Sequence, residues 1–192
     1  MAAVVSLKAA AETDVPAMLA IYAPLVLNSS VSFEYEAPSL AEFRERFRRI
    51  SGRYPWLKAE VDGRTAGYAY ASTVFERAAY QWTAGLSVYI AADHQRLGLA
   101  SKLCGALEEL LRQMGYRILY AVISADNSGS LSFHHRLGFK EVGRFRRAGF
   151  KLGQWRDVVW MEKILNPAEG PPLPPIAFSA LDETTKAGAL AK

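Results

Sequence analysis

Val88-Tyr89-Ile90-Ala91-Ala92-Asp93-His94-Gln95-Arg96-Leu97-Gly98-Leu99-Ala100-Ser101 is the stretch from which the fold is read. Val88, Tyr89 and Ile90 are strand formers. Gly98, Ala100 and Ser101 are small, and apolar residues then recur at Leu99, Leu103, Leu107, Leu110, Leu111 and Met114 with the period of an amphipathic helix. Gly115 follows, where a left-handed helix stop is expected. A strand that turns into a helix presents the helix's first, unpartnered N–H groups, and the helix dipole adds about half a positive charge there. Small side chains let an anion approach that backbone, and Arg96 adds a formal charge. The stretch therefore reads as a pyrophosphate cradle. Two common nucleotide cradles are excluded, because neither Gly-x-x-x-x-Gly-Lys-Ser/Thr nor Gly-x-Gly-x-x-Gly is present.

Outward from the cradle, the chain alternates its periodicities. Val4–Ala9 reads as a strand, Asp14-Val15-Pro16 as a helix start, and Pro24 as an interruption of that helix. Ser39 and Glu42 form a capping box ahead of a stripe of Leu40, Phe43, Phe47 and Ile50. Asp62-Gly63 joins strands at Trp56–Val61 and Thr65–Ser72 as a hairpin. Ala78–Trp82 leads into the strand that ends at Ile90, and Arg117–Ser124 is the next strand, one crossover helix later. That pair is expected to be parallel. A short helix at Ser130–Leu137 and a hairpin of Phe139–Arg147 with Gln154–Ile164 close the domain, residues 1–165. Residues 166–192 begin with five prolines between Pro167 and Pro175 and read as a flexible tail, disordered or loosely docked. The order predicts an α+β fold, a mixed central β-sheet flanked by helices on both faces, with a ligand where the central parallel strands part.

Composition narrows the function. With 192 residues, 51% hydrophobic and 22% charged, the chain has the makeup of one globular domain. The net charge is +4; the tail, with three acidic and two basic residues, carries −1 and the domain before it +5, which favours an anionic ligand. It is too small to argue for nucleic acid. No apolar run reaches the roughly 18 residues of a membrane span. The first residues lack the basic start and long apolar centre of a secretion signal, and Cys104 is the only cysteine. A reducing, cytoplasmic setting is expected.

Gln95-Arg96-x-x-Leu99-Ala100, with Gly98 inside it, resembles the acetyl-CoA loop of the GCN5-related N-acetyltransferases, the GNAT superfamily. Asn127-x-x-Ser130-x-x-Phe133-His134-x-x-Leu137-Gly138-Phe139 resembles the superfamily's second cofactor motif. The likeness is closer still to the phosphinothricin and methionine sulfone or sulfoximine N-acetyltransferases. Their Arg-Tyr-Pro-Trp-Leu stands at Arg53–Leu57, Ala-Tyr-x-Trp-Thr at Ala79–Thr83, and His-Gln-Arg-Leu-Gly-Leu at His94–Leu99. Ala-Gly-Tyr/Phe-Lys stands at Ala148–Lys151 and Gly-x-Trp-x-Asp-Val at Gly153–Val158.

The resemblance implies the GNAT fold and transfer of an acetyl group from acetyl-CoA to the amine of a small amino acid. It implies a cytoplasmic homodimer that needs no metal and binds neither nucleic acid nor membrane. Backbone groups of Val88, Tyr89 and Ile90 would hydrogen-bond the pantetheine arm. Arg96, Leu97, Gly98, Leu99, Ala100 and Ser101 would hold the pyrophosphate, and Asn127, Ser130 and Arg136 would also touch the cofactor. Phe33, Ala78, Ala79, Tyr80 and Gly85 fall where that branch keeps its acceptor. His134 takes the place of a residue that gives a proton to the leaving thiolate. One position departs: the branch carries a glutamate three residues before Val-Tyr-Val, and here it is Gly85. That departure leaves open a different amine acceptor, or an acyl-CoA binder without turnover.

Overall fold

The computed structural model describes residues 4–167 and 170–191. Seven strands, β1 (Val5–Ala9), β2 (Trp56–Val61), β3 (Arg64–Ser72), β4 (Thr83–Ile90), β5 (Ile118–Ser124), β6 (Lys140–Lys151) and β7 (Gln154–Ile164), form one sheet in the order β1-β2-β3-β4-β5-β7-β6. Five helices accompany them: α1 (Val15–Asn28), α2 (Leu40–Ser51), α3 (Leu99–Gln113), α4 (Ser128–Arg136) and α5 (Glu183–Leu190). Every neighbouring pair is antiparallel except β4–β5, the pair bridged by the α3 crossover. Asp62 and Gly63 both have positive φ, 49° and 78°, as the tight β2–β3 hairpin requires.

Helices cover both faces of the sheet, as the pattern predicts. On one face α3 buries Leu99, Leu103, Leu107, Leu110 and Leu111 against Ala69, Ala84, Leu119 and Val159. Each such leucine contributes roughly 1.5–3 kcal/mol of burial. On the other face Val15, Met18, Tyr22 and Val26 of α1 and Phe43 and Phe47 of α2 enclose Trp56 and Tyr68. Pro24 does not interrupt α1, which runs on to Asn28. Pro24 is on the exposed side of the helix, so water can reach the carbonyl it leaves unbonded, while buried Tyr22 and Val26 hold the turn on either side.

The described part of the tail packs on the domain. Its proline run is docked through backbone bonds from Ile176 N–H to the Met114 carbonyl (3.0 Å) and from Phe178 N–H to the Arg53 carbonyl (2.9 Å). The Trp82 indole donates to the Leu173 carbonyl at 2.8 Å. Asp182 then caps α5, accepting from Thr185 N–H at 2.8 Å, and Leu181 and Ala189 bury against the α3 core. A handful of apolar residues spaced along a polar tail is enough to anchor it once α3 offers a surface. Residues 168, 169 and 192 lie outside the described ones.

A charged cluster pins β1, β2 and the start of α1 together. Lys58 lies 2.7 Å from both Asp14 and Glu60, and Lys8 lies 2.6 Å from Glu60. Hydrogen bonds from Lys58 and then Lys8 pull the Glu60 carboxyl from 4.5 down to about 2. A depressed carboxyl stabilises the folded state fully above its unfolded value and stops doing so as pH falls through its folded value. Acid unfolding of the native chain should therefore steepen between pH 4.5 and about 2, and Glu60→Gln should flatten that region, as circular dichroism against pH would read.

Candidate active site

The site begins where β4 and β5 separate. They pair only at Thr83–Ile118, Ala84–Leu119 and Gly85–Tyr120. Beyond Gly85, β4 stays with β3 and β5 with β7, so the sheet opens into a cleft. The alternation of the antiparallel ladder decides which backbone groups face it. Ala71 N–H donates away from β4 to the Pro55 carbonyl (3.1 Å), and Ala91 N–H donates to the Ala66 carbonyl of β3 (2.9 Å). Val88 and Ile90 therefore turn their amides and carbonyls into the cleft, and Tyr89 turns its own to β3. Of the three expected backbone partners, Val88 and Ile90 offer a free strand edge, and Tyr89 lines the cleft without one.

The cleft holds a cavity of about 600 Å³ that reaches from Val88 and Ile90 to Arg96, Gly98, Leu99, Ala100 and Ser101. Arg96 and Gly98 have φ of 65° and 76°, the left-handed turn that swings the chain from strand into helix. Lys102 N–H makes the first helical bond, to the Gly98 carbonyl at 3.1 Å, so the amides of Leu99, Ala100 and Ser101 have no partner within α3. Leu97 is the one cradle residue that does not line the cavity; its side chain is 53% exposed. Asn127, Ser130 and Arg136 complete the wall from α4.

Asn127 caps α4, its side-chain oxygen accepting from Ser130 N–H at 3.1 Å. One turn on, His134 is only 3% exposed and lines a smaller cavity, about 70 Å³, between Leu86–Tyr89 and Ala121–Ser124. Its ring stands edge-on to Phe133 and Phe139 at 5.2 Å from each. His134 Nδ1 lies 2.8 Å from the Ser130 carbonyl oxygen. A carbonyl can only accept, so Nδ1 carries a proton. Burial pushes the imidazole below its ordinary 6.5, outweighing the bond to Ser130; at neutral pH the ring is uncharged and Nε2 is bare.

The chain belongs to the GNAT acetyltransferase family.

The family model, an acetyltransferase (GNAT) domain, matches residues 7–160. The chain is 37% identical over 173 residues to a phosphinothricin N-acetyltransferase of Streptomyces viridochromogenes, covering 90% of this chain and 94% of that one. It is 32% identical over 169 residues to an L-methionine sulfoximine/L-methionine sulfone acetyltransferase of Pseudomonas aeruginosa, covering 87% and 98%. The crystal structure of a phosphinothricin acetyltransferase from Sinorhizobium meliloti in complex with acetyl-CoA superposes with a TM-score of 0.85 at 32% identity, covering 94% of this chain and 98% of that one. The protein is an acetyl-CoA-dependent GNAT N-acetyltransferase. Its own residues fit the cosubstrate: unpartnered amides and Arg96 for the pyrophosphate, and the free edge at Val88 and Ile90 for an extended amide-bearing arm.

The residues expected on the acceptor side of this GNAT enzyme do not share one cavity. Phe33 packs into the space a side chain at Gly149 would need, and Val31 from the same loop lines the cleft in its stead. Ala78, Ala79 and Tyr80 form a single helical turn that lines neither of the two cleft cavities, with the Tyr80 ring 4.7 Å from Phe75. Gly85 is packed: a Cβ there would meet Val74 Cγ2 at 3.0 Å and Ser72 Oγ at 3.5 Å. Beside Ser72 lies a further cavity of about 670 Å³, lined by Arg46, Arg49, Tyr70, Thr73 and Glu76 among others. Nothing in the linear sequence singles out Arg49.

The loop carrying Val31 is tied on three sides. Ser30 Oγ donates to Asp126 at 2.8 Å, and Tyr35 donates to the Phe150 carbonyl at 2.8 Å. Lys151, 2% exposed, donates from Nζ to the carbonyls of Val26 (2.7 Å) and Glu34.

Proposed function

We propose that the enzyme transfers the acetyl group to the α-amine of a small amino acid or analogue, of the phosphinothricin, methionine sulfone or methionine sulfoximine type. The observation that carries this reading is a pair of cavities: one runs along the β4 edge at Val88–Ile90 and suits acetyl-CoA, and the other lies between α2 and the end of β3 and offers arginines to a carboxylate. Arg46 is engaged by Glu34 at 2.7 Å. Arg49 lines the same cavity and has no anionic partner among the described residues. The relatives named for these amino-acid analogues support the same class.

In this reading the Val88 amide donates to the acyl oxygen as negative charge develops there. The α3 N-terminus and Arg96 anchor the diphosphate, so the thioester is held against the cleft while the acceptor enters from the Arg49 side. The same reading makes the protein a cytoplasmic homodimer, with the exposed Phe145, Phe150 and Trp155 of β6 and β7 as the self-contact.

Arg49→Glu tests the acceptor reading. A charge-assisted hydrogen bond is worth about 1.5–3 kcal/mol, so KM for the amino acid should rise at least about 10-fold while KM for acetyl-CoA stays put. The decarboxylated amine of the same acceptor should be a poor substrate for the native enzyme and indifferent to the substitution. Equal KM values for amino acid and decarboxylated amine in the native enzyme would refute the reading.

A further inference from the structure

We infer that His134 serves this transfer as base and acid in turn, its Nε2 taking the proton of the attacking amine and passing it to the departing sulfur. The inference rests on the acetyl transfer proposed above. Nδ1 is locked as the donor to the Ser130 carbonyl at 2.8 Å, with Ser130 Oγ at 3.3 Å on the same nitrogen. A neutral imidazole has one N–H, and here it is spent inside α4. Nε2 has no hydrogen-bond partner among the described residues, and His134 lines the gap facing Leu86–Tyr89. A ring in this state has no proton to give a thiolate until it has first taken one. The simple donor role implied by the family resemblance is therefore incomplete.

No carboxylate competes for the base role within that gap. Gly85 has no side chain, Glu34 is paired with Arg46 at 2.7 Å, and Glu76 lines the other cavity. Asp126 accepts from Ser30, Ser124 and Arg156. The polar side chains that share the gap with His134 are Asn127, Ser130, Ser87, Ser124 and Tyr89, and burial holds the Tyr89 phenol protonated well above its ordinary value. From its own helix His135 opposes charge on the ring, and Lys163 stands over the Phe139 ring at 5.9 Å.

The step balances without any further reactant. The acceptor enters as the free amine, its ammonium proton lost to water. As the C–N bond forms the nitrogen turns acidic, and a weak base suffices to take one proton at Nε2. The C–S bond breaks, the sulfur takes that proton from Nε2, and the ring returns to its starting form with Nδ1–H still on Ser130. The burial that makes the ring a weak base makes the imidazolium a ready donor.

Two measurements test this. Nitrogen-15 NMR of the native protein at pH 7 should show His134 neutral, protonated on Nδ1 and bare on Nε2; an Nε2–H tautomer or an imidazolium would overturn the inference. His134→Gln should lower kcat at least about 100-fold with acetyl-CoA affinity unchanged. The native kcat should fall on the acid side with an ionisation below 6.5, and the variant should lack that limb. A variant that keeps the native rate, or the same acid limb, overturns the inference while leaving the transfer reading intact. Absence of transfer by the native protein to any amine would overturn both.

Discussion

Gly98→Glu is expected to raise the dissociation constant for acetyl-CoA about 100-fold, as titration calorimetry would read. Gly98 sits at the head of α3 with φ of 76°. A side-chain-bearing residue pays roughly 1–2 kcal/mol to adopt that conformation. The new carboxylate would also stand where the diphosphate is to bind, at the positive end of the helix dipole, which adds roughly 1–2 kcal/mol against the ligand. Together these amount to about 3 kcal/mol, or two decades in affinity. Nothing lies within 4 Å of a Cβ at this position, so the loss is conformational and electrostatic rather than steric. Gly98→Ala isolates the first contribution and should cost about 10-fold. An unchanged dissociation constant in the glutamate variant would place the cosubstrate elsewhere.

Lys151→Met should lower the unfolding free energy by about 3 kcal/mol, because two buried carbonyls lose their donor. In a chain of this size the melting temperature would fall by about 6–12 °C. Lys151 joins β6 to the end of α1 and to the loop at Glu34, and Glu34 in turn holds Arg46. The lesion therefore reaches the acceptor side: KM for the amine should rise more than KM for acetyl-CoA. A melting temperature equal to that of the native protein would show that the carbonyls find other partners.

Much of the architecture was legible because its signals are local. The Asp62-Gly63 turn, the Ser39–Glu42 box and the leucine stripe of α3 each specify an element within a few residues. The cradle at Gly98 was legible for the same reason, since strand, left-handed turn and helix start are contiguous. What escaped depends on distant partners. Pro24 stays in α1 because Tyr22 and Val26 are held by the opposing helix and sheet. The tail docks because α3 presents a surface to Leu181 and Ala189. Phe33 sits against β6 because Gly149, more than a hundred residues on, leaves room for its ring. Arg49 gains its place only where α2 packs beside Tyr70 and Ser72, which are distant in the chain. The cleft by α3 is built mostly from contiguous chain; the cavity beside Arg49 is assembled from segments far apart in it.

The most direct measurement is thiol release from acetyl-CoA with L-phosphinothricin, L-methionine sulfone, L-methionine sulfoximine and the common amino acids, with the acetylated product weighed by mass spectrometry. Thiol should appear in step with an N-acetyl amino acid for at least one acceptor, with a strong loss of both in Gly98→Glu at subsaturating acetyl-CoA. Thiol release without an acetylated acceptor, or no binding of acetyl-CoA at all, would contradict it.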